Sequence, residues 1–221
     1  ENYTISIEEN TSVELGFPVF TSDADADSTV TFSLSGADAA SFNVDESLSA
    51  DGIAVIRFNT LTDFEIKTSY AVTVTADDGA NTTDQALVFN VLDLNDEAPV
   101  FTSESDITID EGATEIVTLA TTDADADSTV TYTLSGDDAE SFDLSEAGIL
   151  TLQTAANFEA KTSYAITITA NDGVNTTAQA ITVSVNDLND NAPVFADANY
   201  DITIVENTKG PTLLETTDAD T

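Results

Sequence analysis

The 221-residue chain contains no Cys, His, Met or Trp, and only 4 Lys and Arg stand against 42 Asp and Glu. Each shortage excludes a class of function. Without Cys or His there is nothing from which to build a disulfide framework, a Cys/His zinc site, or thiol- or imidazole-based catalysis. Haem sites with His, Met or Cys axial ligands are excluded with them. A nucleic-acid binder neutralises phosphates with Lys and Arg, and this chain has almost none. The same sign of charge argues against anionic membrane surfaces. No apolar run approaches the roughly 20 residues of a membrane span, and no signal peptide opens the sequence, so no direct membrane insertion is expected. Even an initiator Met is missing, so the sequence reads as an internal piece of something longer or a processed product.

What is present argues for a folded protein. Hydrophobic residues make up 41% of the chain, with 11 Phe and 5 Tyr, which is too much apolar surface for a disordered acidic segment. The length suits one or two domains with real cores. The formal charge of −38 is the difficulty, because a compact body at that charge repels itself. Salt or bound cations must reduce that repulsion.

The sequence repeats itself. Asp23-Ala-Asp-Ala-Asp-Ser-Thr-Val-Thr-Phe-Ser-Leu-Ser-Gly36 recurs as Asp123-Ala-Asp-Ala-Asp-Ser-Thr-Val-Thr-Tyr-Thr-Leu-Ser-Gly136, and its opening returns at Asp218-Ala-Asp220. Asp63-Phe-Glu-Ile-Lys-Thr-Ser-Tyr70 recurs as Asn157-Phe-Glu-Ala-Lys-Thr-Ser-Tyr164. Asp93-Leu-Asn-Asp-Glu-Ala-Pro-Val-Phe101 recurs as Asp187-Leu-Asn-Asp-Asn-Ala-Pro-Val-Phe195. The period is therefore that of a whole domain. Residues 1–97 form one repeat, 98–191 a second, and 192–221 the start of a third.

Within each copy the apolar period is two. Tyr70, Val72 and Val74 alternate with Ala71, Thr73 and Thr75, then Leu87, Phe89 and Val91 follow. The second copy repeats the scheme through Ile166 and Ile168, then Ile181, Val183 and Val185. Alternation in Val-, Ile-, Thr- and Tyr-rich runs bounded by Gly, Asn and Asp predicts half-buried strands. About seven such runs per copy, with no helical stripe, predict an all-β chain of tandem antiparallel sandwiches. The join Asn95-Asp-Glu-Ala-Pro99 is short and ends in Pro, leaving little slack between them.

The recurrent carboxylates gather at the ends of these strands and in the linker. Grouping so many without a cation costs several kcal/mol of repulsion. A hard divalent ion taking six to eight oxygens removes that cost, and calcium accepts mixed carboxylate, amide and backbone ligands. Asp23, Asp25 and Asp27 have the spacing of an EF-hand loop, but Ser28 stands where its Gly is required and Leu34 where its final Glu belongs. Such loops cannot enclose an ion alone, so the ligands must come from several segments.

Glu9-Asn10 after a strand resembles the Pro-Glu-Asn signature of cadherin repeats, and Asp63-Phe-Glu65 resembles their Asp-Arg-Glu. Asp93-Leu-Asn-Asp-Glu-Ala-Pro resembles their linker, Asp123-Ala-Asp125 their Asp-x-Asp, and Ala170-Asn-Asp172-Gly their Ala-x-Asp-x-Gly. The resemblance covers essentially the whole chain. It implies tandem seven-stranded Greek-key sandwiches joined end to end by calcium-binding linkers. At the first junction it implies calcium ligands from Glu9, Asp63 and Glu65, from the linker residues Leu94, Asn95, Asp96 and Glu97, and from Asp123, Asp125 and Asp172. At the second it implies Glu111, Asn157, Glu159, Leu188, Asn189, Asp190, Asn191, Asp218 and Asp220. Asp23, Asp25 and Asp78 match positions serving a preceding domain. The loop after Asp125 is shorter than the family's, so Asp127 or Ser128 must supply a ligand there. Strand exchange in the family uses an N-terminal Trp, which this fragment lacks.

The function this implies is non-enzymatic: a calcium-stiffened extracellular extender or adhesion module of a cell-surface protein. Its partners would be other surface proteins or polysaccharides, with homophilic or filament contacts. The lack of Cys and the Asp excess point to a microbial surface adhesin. Four sequons, at Asn2, Asn10, Asn81 and Asn175, would matter only in a eukaryotic secretory route. The alternatives are a carbohydrate-binding module, with Tyr3, Tyr200 and Phe195 as an aromatic platform, or a structural filament or sheath subunit.

Overall fold

The structure, a computed structural model, describes residues 2–24, 29–47, 52–126, 128–196, 203, 206–207 and 215–220. Asp25, Asp27, Asp127 and Tyr200, singled out above, lie outside the described residues. The chain divides into two compact units, Glu1–Glu97 with Ala124–Asp127, and Ala98–Asp123 with Ser128–Thr221. Among the described residues no helix is long and apolar enough to cross a membrane.

The first unit contains β1 (Asn2–Glu8), β2 (Phe17–Phe20), β3 (Thr31–Ser35), β4 (Phe42–Asp45), β5 (Ile53–Phe58), β6 (Ser69–Asp77) and β7 (Thr82–Leu92). They form a four-stranded sheet in the order β1-β7-β6-β3 and a three-stranded sheet in the order β2-β5-β4. β1 runs parallel to β7, from Asn2 opposite Ala86 to Glu8 opposite Leu92. The period-two pattern puts Val72 and Val74 of β6, Leu87 and Phe89 of β7, and Ala54, Ile56 and Phe58 of β5 in one core. Phe42 packs against Phe58 and Phe89 with ring centroids 4.4 and 5.2 Å apart. Aromatic pairs at such distances add to the area they bury, and truncating the fully buried Phe89 to Ala would cost about 3–5 kcal/mol.

The second unit opens with β8 (Val100–Phe101), β9 (Asp106–Asp110), β10 (Glu115–Thr118) and β11 (Thr121–Thr122). It continues with β12 (Thr131–Ser135), β13 (Phe142–Leu144), β14 (Ile149–Leu152), β15 (Ser163–Asn171) and β16 (Thr176–Asn186). Its four-stranded sheet is β12-β15-β16-β9 and its three-stranded sheet β10-β14-β13, with β8 paired to β11. β9 again runs parallel to the last long strand, β16. The core is built on Leu150, Ile168, Ile181 and Val183. Beyond it, β17 (Val194–Phe195) pairs with β18 (Thr216–Thr217).

Scarce cations are used identically in the two units. Lys67 makes an ion pair with Asp38, whose other carboxylate oxygen accepts the Ala71 N–H at 2.8 Å. Lys161 and Asp138 repeat the arrangement, with the Ala165 N–H at 2.8 Å. Each ammonium lies 4.9 Å from a Tyr ring centre, Tyr70 and Tyr164. These pairs pin a short 3₁₀ turn, Ala39–Ser41 or Ala139–Ser141, to the start of the long hairpin.

Candidate metal centre

Glu9 follows β1 at the end of the first unit where its linker emerges. It is only 3% exposed, which is unusual for an ionisable group without a cationic partner. Two main-chain donors hold it, with Oε1 accepting the Leu94 N–H at 2.7 Å and Oε2 the Phe64 N–H at 2.8 Å. One carboxylate thus ties the strand end, the 62–65 loop and the linker together. Asn10 adopts a left-handed conformation, φ 56°, which Asn tolerates better than most residues, and donates its own N–H to the Thr62 carbonyl. Its side-chain amide donates to the Asp96 carboxylate.

Around Glu9 the carboxylates converge. Single oxygens of Glu9, Glu65 and Asp96 all lie within 4.8 Å of one another, as do single oxygens of Glu65, Asp93 and Asp125. Glu65 therefore bridges two groups. Asp125 is 5% exposed and accepts the Glu97 N–H at 3.0 Å. Asp93 accepts the Ala126 N–H through Oδ2 at 2.6 Å, while its Oδ1 is buried and has no hydrogen-bond partner. Loss of hydration holds the Glu65 carboxyl above its ordinary value, and the negative charges of Glu9 and Asp125 add to this.

The second unit repeats the design. Glu111, 6% exposed, accepts the Leu188 N–H at 2.6 Å and the Phe158 N–H at 3.1 Å. Oxygens of Glu111, Glu159 and Asp190 lie within 4.8 Å of one another, and so do those of Glu159, Asp187 and Asp220. Burial raises the Asp187 carboxyl above its ordinary value, helped by the nearby charges of Asp220, Glu111, Asp190 and Asp218. Asp220 is held low by the side-chain amide of Asn191, at 2.7 Å, together with that residue's backbone N–H. Asp123 and Asp172 also bring carboxylate oxygens within 4.8 Å of each other. Asp172 heads the β15–β16 turn, where its Oδ1 accepts the Val174 and Asn175 N–H groups at 2.7 Å. Asp78 does the same for Ala80 and Asn81 at the tip of β6–β7.

Two residues the sequence reading left out stand in these groups, Asp93 and Asp187. The available signal was their position as the first Asp of the repeated Asp-Leu-Asn-Asp. Asp63 and Asn157 are placed differently. Asp63 Oδ1 accepts the Ile66 N–H at 2.8 Å and Asn157 Oδ1 the Ala160 N–H at 2.7 Å, so both cap a tight turn. Neither Asp63 nor Asp218 joins the convergent carboxylate groups found among the described residues. Leu94, Asn95, Glu97, Leu188, Asn189 and Asn191 lie in the two linkers, and the Leu188 carbonyl already accepts the Asp190 N–H at 2.8 Å. Of the proposed aromatic platform, Tyr3 is 57% and Phe195 58% exposed.

The donor set is all oxygen and strongly anionic, and it holds a buried carboxylate oxygen with nothing to bind, Asp93 Oδ1. That fits a hard divalent cation of high coordination number, and it fits calcium better than a small octahedral ion or a soft metal.

No family model matches the chain. Human protocadherin Fat 1 is 39% identical over 170 residues, covering 72% of this chain and 4% of that protein. Mouse protocadherin Fat 4 is 34% identical over 212 residues, covering 90% of this chain and again 4% of the relative. The chain thus spans a small fraction of the length of the curated relatives it matches. Among solved structures, extracellular cadherin domains 3–6 of protocadherin gamma B2 superpose with a TM-score of 0.82 at 22% identity, covering 98% of this chain and 57% of that one. That likeness is one of fold.

Proposed function

Because this chain consists of tandem cadherin-family repeats, we propose that it is a calcium-dependent extender and adhesion module of an extracellular cell-surface protein. The observation that carries the reading is the buried Glu at each unit's end, Glu9 and Glu111, held by main-chain donors beside convergent carboxylates. A bound calcium ion supplies the positive charge that lets such carboxylates stay ionised and close. At the end of the first repeat, Glu9, Glu65, Asp93 and Asp96 are the side chains assigned to it, with Asp125 from the opening of the next. Glu111, Glu159, Asp187 and Asp190 are their counterparts at the end of the second, with Asp220 from the third.

The chain's own contribution is to present these ligands on a linker already fastened along its length. Glu9 fixes Leu94, and Asp125 fixes Glu97, so few backbone torsions between them are left to order when an ion binds. Asp123, Asp125 and Asp172 from the following repeat complete the proposed junction, with Leu94, Asn95 and Glu97 offering backbone or amide oxygens. With both sides engaged, the junction stiffens into a rod. Extracellular sites of this kind bind at about 10⁻⁴ to 10⁻³ M, so the medium outside a cell fills them and cytosol does not. The proposed partners are other surface proteins or polysaccharides and further copies of the chain itself. The recurrent carboxylates are assigned to metal, not to acid–base chemistry.

Calorimetric titration with calcium in about 0.15 M salt tests this reading. It predicts saturable binding, weakened by Asp93→Asn and by Asp187→Asn. Heats that never saturate, or that neither substitution changes, would sink it.

A further inference from the structure

The two repeats differ in the residue that follows the buried Glu, which is Asn10 in the first and Gly112 in the second. The main chain treats the two alike. Both take a left-handed conformation, φ 56° and 82°, and both donate their N–H at 2.8 Å, to the carbonyls of Thr62 and Ala156. Only the side chain is different. That of Asn10 donates its amide to Asp96, 86 positions away in sequence, and an Asp96 oxygen lies within 4.8 Å of oxygens of Glu9 and Glu65.

Gly112 has no side chain to make that tie. Asp190, the counterpart of Asp96, takes an amide instead from Asn191 beside it in the linker, at 2.9 Å. Asn191 also donates to Asp220 at 2.7 Å, through its side-chain amide and its main-chain N–H alike. The matching position in the first linker is Glu97, whose side chain is an acceptor only when ionised. The amide on the outer carboxylate therefore comes from the folded repeat at Asp96 and from the linker itself at Asp190. Asp96 is exposed and stands among like charges, so without a cation repulsion drives it outward into water. A donor anchored on the repeat opposes that movement. A carboxylate accepts at about four positions, so one amide leaves room for an ion.

We propose that Asn10 is a positioning residue for calcium at the end of the first repeat, a role that rests on the calcium reading above. Its amide holds the Asp96 carboxylate in place before the ion arrives. Ordering a side chain on binding costs affinity, and one ordered beforehand costs none. The first group therefore takes up its ion with less reordering than the second, and the choice of Asn or Gly after the buried Glu tunes each group separately. Asn suits the place because it tolerates the left-handed backbone and carries a donor.

The test exchanges the two residues in the full chain, as Asn10→Gly and Gly112→Asn. Gly adopts the left-handed backbone without strain, and a Cβ at position 112 would meet no atom within 4 Å beyond its chain neighbours. Calcium chloride is titrated in about 0.15 M salt and followed by NMR, with the Leu94 N–H on Glu9 reporting the first group and the Leu188 N–H on Glu111 the second. Asn10→Gly should weaken calcium at the first group by about two- to fivefold, the cost of ordering one exposed side chain, and leave the second unchanged. Gly112→Asn should tighten the second by a similar factor. Asn10→Asp, of the same size but without the donor, should weaken the first at least as much as Gly does. In chelator, Asn10→Gly should also shift the Asp96 carboxyl resonance. An unchanged affinity at the first group would overturn the proposal, as would an equal loss at both. Tighter binding by Asn10→Gly would overturn it too, since the amide would then compete with the ion. A wild-type chain that binds no calcium at either group would instead sink the calcium reading, and this proposal with it.

Discussion

Replacing Glu9 by Gln separates a metal ligand from a structural clamp. In chelator the exchange has two opposed effects. It removes a charge from a group whose oxygens lie within 4.8 Å of those of Glu65 and Asp96. Each such pair repels by ~1 kcal/mol at water-like dielectric and ~3.5 kcal/mol at an effective dielectric of ~20. Against that, Gln offers one acceptor where the carboxylate offered two. Its NH₂ must face either the Leu94 or the Phe64 N–H, leaving a buried donor unpaired at a cost of about 1–3 kcal/mol. At the water-like end of that range the two effects nearly cancel, and at the other the repulsion relieved from the two pairs is the larger, so Glu9→Gln in chelator should unfold at or above the wild-type midpoint. In calcium the balance reverses. An ion at tenfold to hundredfold excess over its dissociation constant stabilises the native state by about 1.4 to 2.7 kcal/mol per site. For a domain of this size that is on the order of 10 °C in midpoint. Scanning calorimetry with chelator and with about 10 mM calcium should therefore show a large calcium-induced rise in wild type and a much smaller one in the variant, confined to the first repeat's transition. If the variant loses the same number of degrees with and without calcium, Glu9 is only a clamp for the linker and the metal assignment at this residue is wrong.

Sodium chloride and calcium should be separable. Salt raises the midpoint by screening the −38 charge, but at about 1 M salt calcium should still raise it further, and if it does not, the acidic groups are a diffuse field only. Asn157→Asp keeps the turn cap onto Ala160 while adding a charge, and Asp63→Asn removes one from the matching cap onto Ile66. Titration should show the first tightening, and the second weakening, the low-affinity calcium phase severalfold, with midpoints in chelator little changed. No change in that phase would remove both positions from the ligand set. Asp38 is held below its ordinary value of 3.8, first by the hydrogen bond from Lys67 and then by the Ala71 N–H. Its contribution is therefore fully present above pH 3.8 and lost as pH falls through the lower folded value. Asp38→Asn should destabilise by about 1–3 kcal/mol at neutral pH and by progressively less in acid, as urea unfolding at a series of pH values can show. A difference that persists in strong acid would point to packing instead of charge.

The sandwich was legible in the sequence because its long strands are half-buried. Val72 and Val74, or Ile166 and Ile168, announce one face by a period of two. The paired two-residue strands were not legible, since Val100–Phe101 and Thr121–Thr122 are too short to have a period, and their partners are set by tertiary contact. The carboxylate groups were half legible. Repetition singled out Glu9, Glu65 and Asp96, but which oxygens meet depends on main-chain donors that bend the linker back, such as the Leu94 N–H onto Glu9. That bend brings Asp93 beside Glu65, and no spacing rule predicts it. The caps formed by Asp63 and Asn157 were hidden for the same reason. An Asp in a loop reads alike whether it holds a turn or an ion.

Small-angle scattering of the full chain in calcium and in chelator tests the central claim most directly. With millimolar calcium the account predicts a rigid profile with a longer maximum dimension, and with chelator a shorter, flexible two-body profile whose units keep their fold. The change should be lost in a chain carrying both Glu9→Gln and Glu111→Gln. Profiles that superpose with and without calcium would contradict it.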